Sequence, residues 1–69
     1  PIKPSYFSNG NNKFRLHIEN NNFDLKTDRY WNVNNELIYV HPMRNGRLAT
    51  IYGKIELQEA KAFLAYIDR

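Results

Sequence analysis

At 69 residues the chain has room for one small domain, and a domain this short buries only about 60% of the surface its unfolded form exposes. It contains no cysteine, which excludes disulfides and thiolate metal sites and suits a reducing cytosol. The net charge of +3 is unevenly placed: residues 1–35 carry five basic and three acidic side chains, 36–55 three and one, and 56–69 two and three, so the first 55 residues sum to +4 and the remainder to −1.

Residues 1–12 contain two prolines and Asn9-Gly10 with little periodicity, and they read as an N-terminal arm or loop to a single domain. Lys13 to Glu19 alternates strictly, with Phe14, Leu16 and Ile18 on one side and charged residues and His17 on the other, which predicts a strand. Asn20 to Asn22 predicts a turn, and the alternation of Phe23 to Thr27 predicts a second strand completing a hairpin. Asp28 to Glu36 reads either as a short strand or as an aromatic loop over one end of the core. Seven of the ten asparagines cluster at 11–12, 20–22 and 34–35, where loop tips explain them better than a binding surface, because Asn tolerates the left-handed backbone.

Leu37 to Met43 and Arg47 to Ile55 flank Arg44-Asn45-Gly46, and Asn-Gly between two strand-like runs predicts a second hairpin. A two-residue turn would pair Val40 with Ile51 and Ile38 with Gly53. One face would then hold Ile38, Val40, Ala49, Ile51 and Ile55, and the other Leu37, Tyr39, His41, Thr50, Tyr52 and Lys54. That register leaves Pro42 in a hydrogen-bonded pair, whereas a three-residue turn frees Pro42 but mixes the faces, so the two-residue turn is expected, with a bulge near Pro42. From Glu56 the period becomes helical, with Leu57, Ala60, Leu64 and Ile67 on one stripe, predicting a helix over 57–68. The fold class expected is α+β, a small antiparallel sheet of three to five strands packed by one C-terminal helix. Its core would hold Phe14, Leu16, Ile18, Leu25, Val40, Ile51, Leu57, Leu64 and Ile67. No apolar run approaches the roughly 20 residues of a membrane span, so no membrane partner is expected.

Little in the chain points to chemistry. His17 and His41 are the only histidines, a general acid–base pair only if the fold brings them together. His17 and Glu19 with Asp24 and Asp28 lack any metal-ligand spacing, and no phosphate loop or nucleophile motif occurs, so no cofactor is expected.

The function expected is that of a small basic nucleic-acid-binding domain, with DNA favoured over RNA. Its contacts would be Arg44 and Arg47 at the hairpin tip, Tyr39, His41, Tyr52 and Lys54 along the ribbon, and Arg15 on the neighbouring strand. The order of strands and then helix over residues 13–69 is similar to that of the small DNA-binding domains at the N-termini of some integrases, a likeness of architecture. The alternative is a small inhibitor or adaptor that binds a protein, as a monomer or small homo-oligomer, through the helix face of Ala62, Ala65 and Tyr66 or through a sheet edge. Trp31 is expected in the core.

Overall fold

The computed structural model describes residues 5–9 and 12–69, with side chains from Phe14 onward. In chain order the elements are β1 Ser5–Asn9, β2 Asn12–Asn20, β3 Arg29–Val33, β4 Glu36–Pro42, β5 Arg47–Gly53 and α1 Leu57–Ile67. The strands form one antiparallel sheet in the order β1-β2-β5-β4-β3. The α+β class and the C-terminal helix are therefore as the residue pattern implies. Ser5–Asn9 departs from the expected arm: it is an edge strand paired with β2 from Ser5↔Leu16 to Asn9↔Asn12.

The alternation of β2 does what its pattern demands. Phe14, Leu16 and Ile18 face α1, and their partners on β5 are Gly53, Ile51 and Ala49. Residues 23–27, however, form no strand, because β5 takes the place beside β2. A seven-residue ladder running from Phe14↔Gly53 to Asn20↔Arg47 satisfies more backbone than five residues can. Loop residues 21–28 find a local substitute. The Asn21 side chain donates from Nδ2 to the Leu25 carbonyl (2.9 Å) and accepts the Leu25 N–H at Oδ1 (3.0 Å). Asn34 and Asn35 both take left-handed backbone (φ 51° and 64°) in the two-residue turn joining β3 to β4, so this cluster is a loop tip.

The β4–β5 register is not the expected two-residue turn but the three-residue alternative. Tyr39 pairs with Ile51, Val40 with Thr50 and His41 with Ala49. The Met43 N–H donates to the Arg47 carbonyl (2.8 Å), and Gly46 closes the turn at φ +82°. Hydrogen-bonded and non-hydrogen-bonded pairs alternate in an antiparallel ladder, so Pro42↔Leu48, next to Met43–Arg47, requires no N–H from proline. The slip of one residue carries Leu37, Tyr39 and His41 to the helix side and sends Ile38 and Val40 to the other.

On the helix side Phe14, Leu16, Leu37, Tyr39, Ala49 and Ile51 bury against Ala60 and Leu64 of α1, with Ile18, Leu57, Phe63 and Ile67 half-buried around them. Phe63 meets Phe14 edge-on at 5.4 Å. Val40 and Leu25, expected in this core, belong to the opposite face. There Leu48 is nevertheless only 4% exposed, covered by its neighbours on the sheet and by the 21–28 loop.

Candidate functional site

Because α1 covers one face, the other is open. Its rows are Arg15, His17 and Glu19 on β2; Leu48, Thr50 and Tyr52 on β5; Ile38 and Val40 on β4; and Arg29, Trp31 and Val33 on β3. Trp31 is 53% exposed, against the expectation of a core tryptophan, and Phe23 on the adjoining loop is 75% exposed. The reason is topological. β3 is an edge strand, and Trp31 sits opposite Ile38, which the one-residue slip has moved to the open face. Arg15 holds its guanidinium 4.5 Å above the Tyr52 ring. Trp31, Phe23, Val40 and Leu48, with Arg29 and Glu19, line a cleft of about 300 Å³ on this face.

The seven residues expected to contact nucleic acid do not assemble into one surface. Arg15 and Tyr52 pair on the open face. Lys54 lies just beyond β5 and lines a separate cleft with Asn32, Asn35 and Glu56. Arg44 and Arg47 are exposed at the hairpin tip, where the Arg44 N–H donates to Asp68 Oδ1 (3.1 Å) and brings the helix C-terminus alongside. Tyr39 and His41 are on the other side of the sheet, Tyr39 only 1% exposed and stacked on Tyr30 at 5.8 Å. Moreover, β4 and β5 are flanked by β3 and β2, so their hairpin is not a free ribbon that a major groove can accept along its length.

Tyr39 and His41 instead join a clasp. The Tyr39 hydroxyl donates to Asp28 Oδ2; His41 bonds Asp28 through Nδ1 (2.7 Å) and Asp68 through Nε2 (2.9 Å). Burial pulls the His41 pKa down, but the hydrogen bonds to Asp28 and Asp68 outweigh it and hold the imidazole above its ordinary 6.5. The His41 hydrogen bond, then the Arg44 N–H, holds Asp68 below the usual carboxylate value. Burial, followed by the bond to Asp28, pushes the Tyr39 phenol far above its ordinary value. With both ring nitrogens occupied by carboxylates, His41 ties the loop before β3, strand β4 and the end of α1 together and has no nitrogen turned toward a substrate.

The sheet also separates the two histidines. His17 is on the open face, 3.8 Å from Glu19, and its Nδ1 is buried without a hydrogen-bond partner among the described residues. A paired acid and base from these residues is therefore not formed. Asp28 is committed to His41 and Asp24 to Lys26 (2.9 Å), and no group of three or more metal-ligating side chains forms among the described residues. No helix among the described residues is long and apolar enough to cross a membrane.

No family model, curated protein or solved structure matches this chain. The site rests on its own geometry. Trp31, Phe23 and Arg29 are the residues that sequence reasoning missed. The signal for Arg29 and Trp31 was their alternation with Val33 ahead of the Asn34-Asn35 turn, which marks a strand with one consistent face; Phe23, on a loop, carried no such signal.

Proposed function

We propose that the domain binds single-stranded nucleic acid on the open face of its sheet. The observation that carries this reading is the placement of aromatic rings beside guanidinium groups on the face that α1 leaves uncovered: Trp31 with Arg29 along β3, and Tyr52 beneath Arg15. Unpaired bases stack on such rings, each stack being worth about 1–3 kcal/mol, while neighbouring cations hold the backbone.

The face is mixed in charge, since Glu19 and Glu36 accompany Arg15 and Arg29 on its strands. Stacking rather than phosphate neutralisation then supplies most of the affinity. Anisotropy titrations of labelled single strands and duplexes at several salt concentrations test this. Single strands should bind more tightly than duplex, and the log–log salt slope should be shallow, about 0.7 for each phosphate contacted. Absence of single-strand binding at low salt would end the proposal.

One observation favours a second reading, a protein ligand: Phe23, Trp31 and Val33 present large apolar side chains to water on one side of the molecule. Binding to a protein partner that oligonucleotides do not displace would support that reading instead.

A further inference from the structure

The cleft beside Trp31 carries a more specific inference, which rests on the reading of the open face as a single-strand platform. The cleft measures about 300 Å³; Val40 and Leu48 are among its apolar lining, and Trp31 and Phe23 bring the exposed rings. Thr50 lines its floor, and its two charged side chains are of opposite kinds. Glu19 enters from β2 and Arg29 from β3, with β5 and β4 between them, so the two backbones lie three strand spacings, roughly 14 Å, apart. The cleft thus has a carboxylate that only accepts hydrogen bonds at one end and a guanidinium that only donates at the other.

We propose that this cleft receives one unpaired guanine, stacked on Trp31, with its Watson–Crick edge toward Glu19 and its O6/N7 edge toward Arg29. Guanine sets two donors side by side, N1–H and the 2-amino group, which two carboxylate oxygens accept together. Its O6 and N7 are both acceptors, the pair that arginine engages bidentately. The other bases fit worse. Adenine and cytosine put a ring-nitrogen lone pair beside their amino group, and thymine flanks its single N–H with two carbonyls, so each turns at least one acceptor toward the carboxylate.

Trp31 is the only tryptophan in the chain, so quenching of its fluorescence reports occupancy of this cleft. The probes are thymine-run single strands with one central guanine, inosine, 7-deazaguanine or thymine, measured by tryptophan quenching and in parallel by anisotropy of an end label. The guanine strand should quench Trp31 and bind about tenfold more tightly than the all-thymine strand. Inosine, lacking the 2-amino group, and 7-deazaguanine, lacking N7, should each lose most of that preference. Glu19→Gln should also narrow it, because an amide presents one acceptor and one donor where guanine needs two acceptors. Equal affinity for guanine and thymine strands that both quench Trp31 would overturn the guanine assignment and leave the stacking platform standing. Label-detected binding without quenching would overturn the cleft. No binding at low salt by either signal would overturn the platform as well.

Discussion

On the helix side of the sheet Tyr39, Ala49 and Ile51 are almost wholly removed from water, while on the other side Trp31 and Val33 keep about half of their surface exposed. The first set comes from the inner strands β4 and β5, the second from the edge strand β3. What separates them is that α1, the only helix among the described residues, covers one face, and that the β4–β5 turn sends Ile38 and Val40 to the face it does not cover. Among the described residues no second helix hides that apolar surface. The closed face therefore holds the fold together, and the open face retains apolar and aromatic area available to a ligand.

That contrast breaks most visibly at Leu64, almost fully buried beneath the sheet. Leu64→Ala should destabilise the domain by about 2–5 kcal/mol in chemical denaturation, through lost burial and the cavity left behind. Trp31→Ala, on the open face, should do the reverse. It should cost little stability but weaken single-strand binding by about 1–3 kcal/mol in an anisotropy titration. A Trp31→Ala variant as unstable as Leu64→Ala would show that the open face also belongs to the core.

The clasp sharpens the comparison on the helix side through its pH dependence. The folded protein holds His41 above 6.5, so its contribution to stability is complete below about 6.5 and is lost as pH rises through the folded value. Asp68 is held below its ordinary 3.8, so its contribution is complete above about 3.8 and is lost as pH falls through the folded value. Urea midpoints should therefore be highest between about pH 4 and 6.5, and His41→Ala should flatten the profile across the alkaline flank. An unchanged profile in that variant would mean that the clasp contributes nothing to stability. Smallest of all is the turn between β3 and β4. Asn35 holds a left-handed φ of 64°, so Asn35→Gly should leave the midpoint unchanged or raise it by a few tenths of a kcal/mol, because glycine enters that region without a steric penalty.

Periodicity in the chain determined the elements that local physics can specify: the β2 strand, the two strands around Arg44-Asn45-Gly46, and the helix over 57–67. Asparagine chemistry determined the Asn34-Asn35 turn, since two adjacent left-handed residues are tolerable there and almost nowhere else. Pairing partners were a tertiary decision. Nothing within residues 13–27 reveals that β5, almost thirty positions further on, will outcompete Phe23–Thr27 for the side of β2. Register was a tertiary decision too, although Pro42 hinted at it. The two turns differ by one residue, and only the need to keep proline out of a hydrogen-bonded pair while burying Leu37 and Tyr39 under α1 selects between them. The composition of the candidate site followed from that choice. Tyr39 and His41 left the expected binding surface, and Trp31 gained the half-buried Ile38 and Val40 as neighbours on the open face, because in a sheet a slip of one position exchanges the two faces of a whole strand.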